Sequence, residues 1–336
     1  MSAPDGASAI GIDIGGTKVS GGVVDREGRI RLRTRRDTPD RSHTPAVVED
    51  TIVEVVEDLR AQAQREGLPA ASSVGVGAAG FVAADRATVV FAPHLSWRDE
   101  PLRESLGRRV DLPITVDNDA NAALWAEHRF GAVRDVGHAV MITLGTGIGG
   151  GVLVDGRLMR GRYGIAGEFG HMQVVPGGQR CECGNRGCWE QYSSGNALVR
   201  EARILALAGS PTATDLVARV DGDLSRLGGP LVTEAARAGD PMARELLAEI
   251  GHWLGVGIAN LAAAVDPEVF VIGGGVSAAG ELLLGPARET FGRQLAGRGY
   301  RPAARVVAAA LGPDAGLVGA ATLGAEAVDP DGWGEG

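Results

Sequence analysis

Three cysteines occur in this chain of 336 residues, and all of them, Cys181, Cys183 and Cys188, lie within "CECGNRGC". His171 stands upstream in "GEFGHM". A Cys-x-Cys-x4-Cys run with one His offers four soft or borderline ligands. That is the Cys3His set of a closed, tetrahedral, structural Zn2+ site. Gly184 and Gly187 sit between the ligands, where the loop must fold back sharply. The alternatives are a bland cluster or a redox pair, and neither calls for such clustering. A closed site has no open coordination position, so this metal would hold structure and leave the chemistry elsewhere. Glu168 and Glu190 bracket the cluster. Alone, each would be read as a solvated surface carboxylate; beside a metal motif, each becomes a candidate for binding.

A second chemical set is "DNDAN", residues 117–121, where a strand turns into a helix. Asp119 has two readings there. It can be the helix N-cap, the commonest job for Asp in such a place. It can also be a general base, because an alcohol attacking a phosphate needs an acceptor for its proton and in-line placement.

A third set is a pair of glycine and threonine tips, "DIGGTKVSGGVV" and "TLGTGIGGGVLV". Each joins two strands, and their likeness suggests an internal repeat and hence two lobes. Glycines let backbone N–H groups approach phosphate oxygens, and Thr17 and Thr146 add hydroxyls. Asp13 precedes the first tip, where a carboxylate can hold Mg2+ through water. Either tip alone is as readily an ordinary hairpin turn; two in register, with a third glycine run at 273–275, favour one ligand gripped twice. Neither tip is a Walker A or a dinucleotide fingerprint. "GxxxxGK[ST]" is absent, and "GTGIGG" leads into a strand rather than a helix.

The elements that must position these groups alternate between strand and helix, which predicts an α/β protein. Residues 8–14 read as a buried strand, followed by two more in a meander. Residues 45–66 carry apolar positions at helical spacing (Val47, Val48, Ile52, Val55, Val56, Leu59), and Gly67 and Pro69 end that helix. A long helical region is expected over about 231–265, a strand into glycines at 268–277, and a closing helix near the C-terminus. Composition agrees: 44% apolar, 22% charged, with 52 glycines, an excess that implies tight turns or backbone held close to a ligand. The net charge of −9 argues against a nucleic-acid partner. The most basic run, Arg31, Arg33, Arg35 and Arg36, alternates like the wet face of a strand. "MSAPDGASA" has no secretory pattern, and the apolar stretch 254–265 is too short to span a bilayer, so a cytoplasmic protein is expected.

In order, "DIGGTK", "NDANAA", "LGTGIGGG", "EFGH", "CECGNRGCWE" and "VIGGGVS" resemble the ROK family of bacterial sugar kinases and sugar-responsive repressors, and more narrowly its actinobacterial glucokinases. The resemblance runs from about residue 9 to 325. It implies a two-lobed actin-like (ribonuclease H-like) fold, with residues 1–118 and the C-terminal helix 314–326 in the small lobe. Residues 119–313, with the zinc loop 171–188, would form the large one. It implies ATP and sugar meeting in the cleft. Gly15, Gly16, Thr17 and Lys18, with Gly145, Thr146, Gly147 and Gly149, would hold the phosphates, and Gly273, Gly274 and Gly275 would lie by the adenosine. Asp119 matches the base and Asn118 a sugar-binding Asn; Glu is usual at 117, where this chain has Asp117. Glu168, His171 and Glu190 would bond the sugar hydroxyls around carbons 1 to 3. If one His171 nitrogen binds zinc, the other remains free to donate to a hydroxyl. The loop 77–82 would bring Gly80 to the sugar. His94 stands where Asn is common, either shifting substrate preference or as a plain surface residue.

The implied reaction is transfer from Mg·ATP to the 6-hydroxyl of glucose, in a homo-oligomer, dimer or tetramer. Rivals are a kinase for N-acetylglucosamine, N-acetylmannosamine, mannose or fructose, a sugar-binding relic without catalysis, and a DNA-binding repressor. For the last, only twelve residues precede Asp13, too few for a helix-turn-helix. Polyphosphate-using relatives lack the zinc cluster, so ATP is the expected donor.

Overall fold

The computed structural model describes residues 7–331 and Trp333; most of "MSAPDGASA" lies outside them. The chain begins with β1 (Ser8–Ile14), β2 (Lys18–Asp25), β3 (Ile30–Asp37) and α1 (Pro45–Arg65). Next come β4 (Ala71–Ala78), the short strands β5 (Phe81–Val82), β6 (Val89–Phe91) and β7 (Arg98–Glu100), and α2 (Leu102–Gly107). β8 (Ile114–Asn118) runs directly into α3 (Asp119–Phe130). β9 (Ala139–Leu144), β10 (Ile148–Val154) and β11 (Arg157–Leu158) follow. The rest is α4 (Gly195–Leu207), α5 (Thr214–Arg219), α6 (Gly229–Ala238), α7 (Pro241–Val265), β12 (Val269–Gly273), α8 (Glu281–Gln294), β13 (Arg305–Ala308) and α9 (Ala315–Val328).

The chain divides into two compact units. The first takes everything up to Asp135, Gly151–Gly167, and the part from Ala310 onward; the second takes Val136–Gly150 and Glu168–Ala309. The division thus falls after residue 135, where the sequence reading put it at 118. The reason is α3: Gly319 of α9 packs against Ala122, so α3 stays with the first unit.

In the first unit the sheet order is β3-β2-β1-β4-β8. β1, β2 and β3 form an antiparallel meander, and β1, β4 and β8 are parallel. β3 is the edge strand carrying the exposed arginines around buried Leu32. α1 buries Val48, Ile52, Val55, Val56 and Leu59 in the core that it shares with β1 and β2. Register pairs Asp13 with Gly77, and Gly77 with Asp117. Asp13, the loop after β4 and the β8–α3 corner therefore all sit at the carboxyl ends of the parallel strands. Open α/β sheets bind ligands at that end.

α9 lies on this sheet with almost no side chain between. A Cβ on Gly11 would fall 2.1 Å from the Leu317 carbonyl oxygen, one on Gly75 1.7 Å from that of Ala320, and one on Gly319 1.7 Å from that of Ala122. Part of the glycine excess is therefore spent on packing and not on turns or ligands. Glu127, fully buried at the end of α3, accepts from the N–H groups of Ala132 (2.7 Å), Ala310 (3.0 Å) and Leu311 (2.8 Å). Three donors satisfy this carboxylate and tie the returning chain to α3.

A second five-stranded sheet has the order β11-β10-β9-β12-β13; β9, β12, β13 and the start of β10 belong to the second unit, and the rest of β10 with β11 to the first. β9, β12 and β13 are parallel, and Thr143 stands level with Gly273. The expected helical region splits in two. Gly239 ends α6 in the left-handed region at φ 103°, Asp240 caps α7 by accepting from Ala243 N–H (2.6 Å), and Pro241 opens it. The apolar stretch 254–265 is the end of α7, a longer helix than the stretch alone implied. The helix is 25 residues long and passes a membrane span by length and composition. Its apolar surface is covered by protein: Leu246, Leu247, Ile250, Leu254, Ile258 and Leu261 are buried, and α8 packs on Gly251 and Gly255.

The backbone contact at Gly319 predicts a sign. Gly to Ala inside a helix usually gains up to about 1 kcal/mol. Gly319→Ala should instead lose about 2 kcal/mol or more, because the methyl overpacks against the Ala122 backbone. Gly292→Ala in α8, where a Cβ meets nothing within 4 Å, should be neutral or stabilising. Urea denaturation of both variants against wild type makes the comparison.

Candidate active site

The carboxylates of Asp13 and Asp119 occupy the carboxyl edge of the first sheet. Burial pushes the Asp13 carboxyl up to about 7, and the charge of Asp119 adds to the effect. Burial likewise raises Asp119 to about 6, against hydrogen bonding from Ala120 N–H, which lowers it. Asp119 is not the N-cap. Asn118 fills that role, its Oδ1 accepting from Ala120 N–H (2.9 Å) and Asn121 N–H (3.1 Å). The Asn118 amide also donates to the Gly80 carbonyl (3.1 Å), leaving one amide hydrogen for another partner. Gly80 packs tightly in turn, since a Cβ there would sit 2.4 Å from the Phe91 carbonyl oxygen. The structure thus joins Gly80, Asn118 and Asp119 at one corner.

Asp117 anchors that corner. Its side chain is 4% exposed and accepts five hydrogen bonds. Oδ1 takes Asn118 N–H (3.0 Å) and the Asn121 amide (3.2 Å). Oδ2 takes Arg86 Nε (3.1 Å), Arg160 Nε (2.9 Å) and Arg160 Nη2 (2.7 Å). Burial lowers the Arg86 guanidinium, with Asp117 opposing and Arg160 adding to that shift. Neither arginine was singled out from the sequence, which carries no sign of the pairing.

At the first tip, Gly15 N–H bonds to the Lys18 carbonyl (2.9 Å), closing the turn on itself. Its carbonyl takes the Thr38 hydroxyl (2.9 Å). That leaves Gly16, Thr17 and Lys18, all exposed, as the groups offered to a ligand. His94 is exposed too, and its ring lies 3.2 Å from where a Gly16 Cβ would be, which places it at this tip rather than at a remote surface.

In the second unit the four predicted ligands come together. The ligand atoms of His171, Cys181, Cys183 and Cys188 all lie within 4.8 Å of one another, and the three cysteines are free. Cys183 and Cys188 sulfurs are 3.6 Å apart, and Cys181 Sγ is 3.7 Å from His171 Nδ1. A tetrahedral Zn2+ with bonds of about 2.3 Å to sulfur spaces its sulfurs about 3.8 Å apart, so the set fits that ion. His171 turns Nδ1 toward the thiols, which leaves Nε2 for a second role. Burial raises the Cys181 and Cys188 thiols, and neighbouring Glu190 adds to both, so a cation is what would draw them into the thiolate form.

Glu190 reaches from this cluster to the second tip. Its Oε1 stands 3.0 Å from Cys181 Sγ and 3.5 Å from His171 Nδ1. Its Oε2 fills the space where a Gly147 Cβ would lie, 2.6 Å away. A side chain at 147 would therefore displace the Glu190 carboxylate from this position. Gly145 N–H closes the turn on the Gly147 carbonyl (3.0 Å), and the Gly145 carbonyl accepts from Gly195 N–H (2.8 Å) at the start of α4. Thr146 is left exposed at the apex, and Gly149 lies within β10. Gly274 comes against the end of β9, where a Cβ would sit 2.4 Å from the Leu144 carbonyl oxygen; the run Gly273, Gly274 and Gly275 therefore adjoins the second tip. Glu168 sits just ahead of the short helical turn that carries His171.

Trp189, between Cys188 and Glu190, is a residue that sequence reasoning missed. It is fully buried, donates from Nε1 to the Trp253 carbonyl (2.7 Å), and its ring occupies the space beside Gly257 of α7. An apolar aromatic placed between a metal ligand and a carboxylate was the available signal.

Comparison with known proteins agrees along nearly the whole length. The ROK family model matches residues 9–327. A glucokinase of Streptomyces coelicolor is 47% identical over 317 residues, covering 94% of this chain and 97% of that one. A glucokinase of Thermotoga maritima is 36% identical over 315 residues, covering 94% and 96%. The crystal structure of a ROK family glucokinase from Streptomyces griseus in complex with glucose and AMPPNP matches with a TM-score of 0.87 at 48% identity, over 95% of this chain and 100% of that one. Matched by the family model over nearly its full length, and sharing the actin-like α/β fold with mixed sheets, the chain belongs to the ROK family.

Proposed function

We propose that this protein is an ATP-dependent glucokinase, transferring the γ-phosphoryl group of ATP to the 6-hydroxyl of glucose. The observation that carries the reading is the 48% identity, over 95% of the chain, to a glucokinase crystallised with glucose and AMPPNP. The arrangement within each unit supports it. Asp119, raised to about 6, is ionised at neutral pH yet basic enough to accept a proton in the transition state. The sugar O6 attacks the γ-phosphorus and passes its proton to Asp119. The bond from that phosphorus to the β–γ bridging oxygen breaks, and ADP departs with the electron pair. Asn118, Gly80, Glu168, His171 and Glu190 bind the sugar hydroxyls. Thr17, Thr146, Lys18 and the remaining free N–H groups of the tips stabilise charge on the phosphates, and Gly273, Gly274 and Gly275 border the adenosine.

Burial and the charge of Asp119 make Asp13 costly to ionise, and a dication relieves that cost, so Asp13 suits Mg2+. The chemistry that such an ion supplies is neutralisation of phosphate charge. Zn2+ in the Cys3His set supplies rigidity and no chemistry. Free thiols and a net negative charge suit the cytoplasm, and we infer a homo-oligomer from the family likeness.

Asp119→Asn should fold and bind glucose, measured by calorimetry, while kcat in a coupled ADP assay drops by about 10^2- to 10^4-fold; activity near wild type removes Asp119 from the role. A sugar panel on wild type, with ATP or polyphosphate as donor, checks substrate and donor together, and glucose with ATP should lead. The base must be ionised, so log kcat/KM for glucose should fall by one unit per pH unit below about pH 6 and level off above it. A proton on Asp13 competes with the metal, so the Mg2+ half-saturation concentration should rise as pH drops below about 7. Cys183→Ser should lose bound zinc by elemental analysis and raise KM for glucose more than KM for ATP. Unchanged sugar affinity in the zinc-free variant refutes the coupling.

A further inference from the structure

Arg86 and Arg160 come from separate segments, 31 and 43 residues from Asp117 in sequence, and converge on one carboxylate oxygen. Both side chains are largely covered, at 28% and 23% exposure. Several features at this spot run against stability. Arg86 adopts φ 53°, the left-handed region that a non-glycine residue enters only under constraint. Its Nη2 is buried with no hydrogen-bond partner, and so is Asn121 Oδ1. A desolvated ion cluster of this kind is no better for stability than an apolar filling of the same shape. Nor is it needed to place β8, which already pairs along its length with β4.

What the cluster does reach is the turn after β8. The Arg86 carbonyl accepts from Val116 N–H (3.1 Å) on the free edge of β8, and its guanidinium holds the side chain of the next residue. Asp117, so held, bonds Asn118 N–H and the Asn121 amide from its other oxygen. These bonds flank Asp119 on both sides along the chain. We propose that Arg86 and Arg160 are positioning residues for phosphoryl transfer, clamping Asp117 so that the Asn118–Asp119 corner keeps the orientation that the acceptor hydroxyl needs. This rests on the reading of Asp119 as the base. Neither arginine is asked to touch substrate.

The test uses the full chain with glucose and ATP. Arg160→Gln should lower kcat by about 10- to 100-fold, the scale of a small misplacement of a reacting group. KM for ATP should stay within about twofold, and the melting temperature should stay close to wild type. Arg160→Lys keeps one charged donor and should recover part of the kcat. Because Arg160 acts through Asp117, the double variant Asp117→Asn/Arg160→Gln should be no slower than the slower single variant. A wild-type kcat in Arg160→Gln overturns the clamp. So does a loss that multiplies in the double variant, or one shared equally by KM for ATP and the melting temperature. If Arg160→Gln does not fold, Arg160→Lys decides: reduced kcat at unchanged KM for ATP supports the clamp, and wild-type kcat overturns it. An active Asp119→Asn overturns the base assignment itself, and the clamp with it. An inactive Asp119→Asn beside a fully active Arg160→Gln overturns the clamp alone.

Discussion

The level register of β1, β4 and β8 is the constraint on which the first unit's chemistry depends. Asp13, Gly77 and Asp117 stand side by side across three parallel strands. Slipping any strand by one residue would turn its side chains to the opposite face of the sheet. It would then separate the carboxylate before the first tip from the corner that bears Asp119. What keeps the strands level is the seating of α9. Gly11 and Gly75 lie under its carbonyl groups, and Gly319 under that of Ala122, so sheet and helix meet at a fixed, side-chain-free contact. A slip would bring a bulky neighbour to a place that accepts only glycine, which makes register and helix seating one requirement.

A parallel constraint shapes the second unit. The knuckle has two anchors of different physics. One is the cluster of three thiols and His171, which suits a metal. The other is Trp189, whose ring lies beside Gly257 of α7 and whose indole N–H is satisfied by a carbonyl. Glu190 follows Trp189 directly, so its backbone is fixed by apolar burial even as its carboxylate faces the ligand cluster. The Cys3His cluster thus meets the Glu190 carboxylate, and the tryptophan fixes the depth of the backbone that carries it.

What was legible in the sequence was local. Strand runs, glycine tips, the helical spacing from Val48 to Leu59, and the cysteine spacing each need only a few neighbouring residues, and each appears where expected. The N-cap moved by one residue because Asn118 and Asp119 are both good caps, and only the turn geometry decides which oxygen meets the helix N–H groups. The break between α6 and α7 was readable in Gly239-Asp240-Pro241, and the apolar periodicity on either side hid it. The Arg86, Arg160 and Asp117 cluster, the seat of Trp189 and the role of Gly319 join residues dozens to hundreds of positions apart. No single-sequence pattern encodes such pairs. The glycine count pointed to tight turns or backbone close to a ligand, whereas several of those glycines bring backbone close to backbone.

The distribution of cost through the molecule separates function from scaffold. In the sheet and around α9, most local choices agree with the fold: small residues at close contacts, buried Glu127 with three donors, apolar faces turned inward; Glu326 of α9, pushed up to about 7 by burial, and the buried Ser73 hydroxyl of β4 are exceptions. Several more disagreements lie at the site. Two carboxylates near each other have their ionisation suppressed. Two thiols are pushed away from the thiolate form. One arginine is held left-handed with a buried, unpaired nitrogen. A sequence shaped for stability alone would have removed these features, since each has an apolar or neutral substitute at hand. On the proposed function, a dication would complete the carboxylates and the thiols, and an alcohol hydroxyl would complete Asp119, whereas the arginine is completed from within the chain, by the Asp117 carboxylate that it holds.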